Sequence, residues 1–205
     1  MRKFITLAMI GLLAACKPAA EKAPAPDASD ADPAAPPVPA AKNDGPNAAT
    51  TAISLDGEGL RFVDKTSGKA SLLAFGVPRA QAETALANVA GKEDDRSTNA
   101  ECGAGVMEFT RYDAMTLNFQ DGKFAGWFLG NEPGADSYST MSGIAVGTTR
   151  AKAAESVTIV DIEDSTLGEE FSIGTGDKVI GGMFAAPGDT AKIDALFAGV
   201  NCFFR

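Results

Sequence analysis

The spacing of apolar residues along this chain changes character twice. From Phe4 to Leu13 they run almost unbroken behind Arg2 and Lys3, a charged start followed by a stretch too short to span a bilayer. From Lys17 to Thr50 the apolar signal disappears: nearly every residue is Ala, Pro, Asp, Lys or Asn, with Val38 the only larger aliphatic. Such a segment cannot bury enough surface to offset its ordering entropy. Its prolines, from Pro18 to Pro46, favour an extended tether with an upper reach on the order of 100 Å. From Ile53 onward, short apolar or alternating runs bounded by Gly, Asp and Asn read as strands, interrupted twice by helical spacing.

These runs predict a definite set of elements. Leu60 to Val63 and Ser71 to Phe75 form a hairpin around Thr66-Ser67-Gly68. A helix follows in which Pro78 takes the first position, Ala82, Leu86 and Val89 share a face, and Gly91 ends the run. Val106 to Tyr112, Thr116 to Phe119 and Lys123 to Leu129 make a meander whose last turn is Asp121-Gly122. A second helix starts near Arg150, capped by Thr148 or Thr149. After it, Glu170 to Ile173 leads through Gly174-Thr175-Gly176-Asp177 to the strand Lys178 to Phe184, and Ile193 to Phe197 pairs with Asn201 to Phe204.

The pattern reads as duplicated. Phe75-Gly76-Val77-Pro78-Arg79-Ala80-Gln81-Ala82 lines up with Val146-Gly147-Thr148-Thr149-Arg150-Ala151-Lys152-Ala153, and Lys123-Phe124-Ala125-Gly126 with Lys178-Val179-Ile180-Gly181. The expected fold is α+β: two helix-plus-antiparallel-meander repeats forming one sheet with helices on one face. The chain then divides into a leader (1–15), an anchor and tether (16–50) and a domain (51–205), with repeats of about 51–135 and 136–205. Residues 72–205 resemble, in architecture only, the tandem-repeat fold of the β-lactamase inhibitor protein family, and the single-unit small lipoprotein of the outer-membrane barrel-assembly machine. That resemblance implies helices on one sheet face and a partner surface on the other. It transfers no inhibitory residue.

Leu13-Ala14-Ala15-Cys16 resembles the lipobox of bacterial lipoproteins. The resemblance implies cleavage before Cys16 and acylation of its sulfur and new amino group. Lys17 stands where an aspartate in that family marks inner-membrane retention, so the outer membrane is expected. Loss of Arg2 and Lys3 with the leader takes the basic count from 18 to 16 and the net charge from −9 to −11. An acidic chain repels nucleic acid and anionic head groups, so its membrane partner is reached through the lipid anchor at Cys16, without nucleic acid binding. Of the 3 cysteines, setting Cys16 aside leaves Cys102 and Cys202, expected to pair in an oxidising compartment.

Chemistry is sparse. The chain has 0 histidines, no nucleophile elbow and no phosphate loop. Gly103-Ala104-Gly105 meets Glu108 where a dinucleotide fingerprint needs its third glycine, and Gly174-Thr175-Gly176 runs into a strand. Carboxylates crowd two places, Glu93-Asp94-Asp95 and Asp161, Glu163, Asp164, Glu169, Glu170, without calcium-loop spacing, and read as solvated faces. Strict alternation sets Phe124 and Phe128 on one strand face and Trp127 on the other. Trp127 and Tyr112 are therefore candidate partner-binding anchors on an open face, with burial in the core as the other reading. These expectations describe a non-enzymatic lipoprotein without cofactors, on the periplasmic face of the outer membrane, that binds an envelope protein or cell-wall component. The alternatives are a carboxylate-dependent envelope hydrolase and an inhibitor of a secreted hydrolase.

Overall fold

The alternation in Thr51-Ala52-Ile53-Ser54-Leu55-Asp56 makes β1 (Thr51–Asp56), whose Ile53 and Leu55 stand opposite Phe62 and Leu60 of β2 (Gly59–Asp64). β3 (Ala70–Ala74) pairs along the other side of β2, with Leu73 facing Leu60. The two-residue β8 (Ser139–Thr140) adds in parallel to β1. These strands form their own four-stranded sheet, ordered β3-β2-β1-β8, in a computed structural model that describes residues 48–204. The expected leader, Cys16 and nearly all of the expected tether lie outside the described residues.

The second sheet has eight strands. β4 (Asp95–Asn99), β5 (Met107–Tyr112), β6 (Met115–Gln120) and β7 (Lys123–Gly130) form one antiparallel meander. β9 (Val160–Asp161), β10 (Glu169–Ile173), β11 (Ile180–Phe184) and β12 (Ile193–Gly199) form another, and the two meet where β7 pairs antiparallel with β12. The order is β4-β5-β6-β7-β12-β11-β10-β9. The fold is α+β, as expected, but the strands occupy two sheets rather than one. The opening hairpin did not join the meanders because β1 pairs with β2 and, with β8 beyond it, extends the hairpin into a separate sheet.

One core joins both sheets and the longer helix, α1 (Arg79–Ala90): Leu55, Leu60 and Phe62 pack with Leu86, Leu117, Phe119, Trp127 and Leu196. Each such side chain contributes about 1.5–3 kcal/mol on burial. α1 starts after Pro78 and ends at Gly91, whose positive φ of 89° lets its N–H reach Ala87 O at 3.0 Å. Ala82 and Leu86 are its buried residues. The second helix, α2 (Arg150–Ala154), runs only 5 residues, with Thr149 Oγ1 accepting from the Lys152 N–H.

Two departures from the sequence pattern shape the face of the larger sheet that points away from this core. Between β6 and β7 the register slips: Asn118 faces Gly126 but Phe119 faces Phe124, so Ala125 is an extra residue. Past it the alternation is inverted, and Trp127 and Leu129 join Phe124 on the core side while Phe128 turns outward. At the chain end, Asn201 to Phe204 form no strand. Gly199, at φ 67°, turns the chain out of β12, and the Val200 N–H bonds to Ala125 O at 2.9 Å. Residues 200–204 then cross the outward face as a strap.

Candidate interaction face

The core side of each meander carries an arginine at a helix start. Before α1, the Gly76 N–H donates to Phe124 O, Phe124 N–H to Val77 O and Arg79 N–H to Gly122 O. Before α2, Gly147 N–H donates to Ile193 O, Ile193 N–H to Thr148 O and Arg150 N–H to Ala191 O. The Arg79 guanidinium lies 4.8 Å above the Phe119 ring and that of Arg150 lies 4.1 Å above Phe184. Their polar surroundings differ. Arg79 donates to Glu83 at 2.8 Å, Glu108 at 2.7 Å and Thr110 at 3.1 Å, while Arg96 holds the other Glu83 oxygen at 3.0 Å. Burial raises the Glu83 carboxyl, but bonds from Thr110 and Arg79 outweigh it and hold the group below its ordinary value. Arg150 donates to exposed Asp161 at 2.6 Å and lies 4.0 Å from Glu169, and its Nε has no hydrogen-bond partner among the described residues. Ala154 occupies the place one turn along α2 that Glu83 holds in α1.

The outward face is also divided. Over β6 and β7 the strap covers it: Asn118 is buried and donates to Val200 O at 3.0 Å and to Asn201 Oδ1 at 2.7 Å. Phe203 lies edge-on to Phe197 at 4.7 Å and to Phe128 at 6.3 Å. A disulfide between Cys102 and Cys202 holds the strap to the loop after β4. Over β9 to β11 no described residue plays that part. Val160, opposite Ser172 in the register, is 51% exposed, Ile162 is 37% and Val179 is 38%. Ile162, Ser172, Val179, Gly181 and Phe197 line a groove of about 390 Å³ there. Gly181 is required at its floor, since a Cβ would run into the Phe197 ring.

Cys16, the expected lipid site, lies outside the described residues. Trp127 and Tyr112 are corrected: both are buried, at 0% and 1% exposure, and neither is offered to a partner. The extra residue Ala125 turns Trp127 inward, where its indole N–H donates to Asp56 O at 3.0 Å. Tyr112 faces Met115 under α1 and donates to Glu83 O at 3.3 Å, and burial, with the Glu83 charge next, pushes its hydroxyl up to about 12. Among the carboxylates expected at solvated faces, Glu170 is buried and accepts from Ser165 at 2.5 Å. No group of three or more His, Cys, Asp or Glu side chains is arranged to hold a metal among the described residues. None of the described helices is long and apolar enough to cross a membrane. Val160, Ile162 and Val179 were missed at sequence level. The alternation Val160-Asp161-Ile162 carried the signal, but two paired residues are too few to read as a strand. Comparison with family models, curated proteins and solved structures finds no match.

Proposed function

We propose that this chain is a lipid-anchored binding module of the bacterial envelope. Acyl chains on Cys16 hold it to the periplasmic face of the outer membrane, the proline-rich segment spaces it from the bilayer, and the domain binds an envelope protein or cell-wall component. The address rests on Leu13-Ala14-Ala15-Cys16 behind a short apolar leader, and on the pairing of the two remaining cysteines. The single observation that carries the binding role is the uneven outward face of the eight-stranded sheet. Its half over β6 and β7 is closed by the chain's own strap, while exposed Val160, Ile162 and Val179 gather on the other half. Exposed aliphatic residues clustered on one sheet face mark interaction surfaces more often than scattered ones do.

The domain is read as a duplication, with both helices against the inner face of the larger sheet. The matched backbone bonds before Arg79 and Arg150, and the aromatic ring beneath each guanidinium, support that reading. The counterpart of Lys123 is then Lys192, since these two bridge Pro78 and Thr149, rather than the Lys178 suggested by matching strings.

Mass spectrometry of the chain extracted from cell envelopes tests the anchor. A mature amino terminus at Cys16 carrying fatty acyl mass, recovered with outer membranes, is expected. An unacylated thiol there ends the proposal. Site-specific crosslinking from Val179 in intact cells tests the binding role, with one reproducible adduct expected and no adduct as the contrary result.

A further inference from the structure

Resting on that binding role, we infer that the groove over β9 to β11 takes an extended protein segment with one large apolar side chain beside lysine or arginine. Three observations converge on this occupant. The groove is built: Ile162, Ser172 and Val179 line it, and Gly181, having no Cβ, leaves room for the Phe197 ring that lines it beside them. The same face already holds such a segment, because Phe203 of the strap packs edge-on against Phe197 and Phe128 without strand pairing. The border of the groove is acidic. Glu170 lines it, and exposed Glu163 and Asp164 follow directly on Ile162, whereas Asp161 and Glu169 lie on the opposite face of the sheet with Arg150. With a chain charge of −9, this border draws in a cationic segment and rejects an acidic one or a nucleic acid. A second copy of this chain brings the same acidic loop and is disfavoured by like charge.

The test uses the full-length purified chain and three fluorescein-labelled heptapeptides of equal length: basic–apolar (GKLVFKG), acidic–apolar (GELVFEG) and basic–polar (GKSTSKG). Fluorescence anisotropy should show the first binding at least tenfold tighter than either other. Val179→Glu, at an exposed site, should weaken it tenfold or more while the circular dichroism spectrum is unchanged, and Val179→Ala should weaken it less. The pair Glu163→Gln and Asp164→Asn should weaken it severalfold and flatten its salt dependence. Equal binding of the acidic–apolar peptide overturns the inference, as does indifference to Val179→Glu or a dimer that Val179→Glu dissolves. A crosslinked envelope partner whose capture is indifferent to Val179→Glu removes this site and leaves the broader binding role standing.

Discussion

The two meanders of the eight-stranded sheet solve the same packing problem with different chemistry. On the core side, the first holds a half-buried charged network in which Arg79, Glu83, Glu108 and Thr110 satisfy one another, while the second sets Arg150 over Phe184 with Phe171 stacked on that ring at 4.2 Å. The fully buried Thr110 and the ring of Phe171 each stand on the middle of their strands. On the outward side the first meander is covered by the strap, and among the described residues no segment covers the second. One half is organised for internal satisfaction, and the other keeps an apolar groove and an acidic rim available.

The strap gives the largest expected effect. Replacing both Cys102 and Cys202 by alanine releases a loop with a sequence separation of 100, which the chain-entropy model equates with about 4 kcal/mol. Thermal unfolding followed by circular dichroism should move down by roughly 10 °C. A shift below about 2 °C would mean that the strap stays seated without its staple and that the covered half does not depend on it.

Glu83→Gln should cost about 2–3 kcal/mol by denaturant titration, because it breaks the charged bonds from Arg79 and Arg96 in a mostly buried setting. The sign with pH follows from the direction of the Glu83 shift. A carboxyl held below its ordinary value stabilises the fold above the unfolded-state pKa, and that contribution fades as pH falls through the folded value. The gap between native and variant should therefore be full at pH 7 and close below about pH 4. In the second meander, Asp161→Asn removes an exposed partner and should change stability by less than about 0.5 kcal/mol. Comparable losses from the two substitutions would dissolve the contrast.

Gly182→Ala should cost about 1–3 kcal/mol, since its Cβ would meet the Phe171 ring. Pairing it with Phe171→Leu should recover part of that loss, and a double variant no better than the single one would locate the strain elsewhere. The smallest effect is a gain. Ala154→Glu places a carboxylate one turn after Arg150, within reach of its unpartnered Nε, and should stabilise by about 0.5–1 kcal/mol at pH 7 and by nothing near pH 3. No gain at neutral pH would show that the second half has no use for the first half's arrangement.

Local pattern determined much of this protein. Periodicity located α1 with its stop at Gly91, the hairpin of β2 and β3, the meander from β5 to β7 and the pair β10 and β11, because each depends on neighbours in sequence. With Cys16 set aside as the expected lipid site, the two remaining cysteines were expected to pair, and Cys102 and Cys202 do. Tertiary structure decided the rest. Whether Trp127 faces in or out turned on one extra residue, Ala125, whose insertion reverses every later side chain and is visible only once β6 is laid against β7. Asn201 to Phe204 carry a strand-like composition, yet Gly199, the buried Asn118 amide and the disulfide draw them across the sheet instead of along its edge. Period specifies which residues alternate, but the face on which they land depends on partners distant in the chain, and the groove is a consequence of that long-range registry.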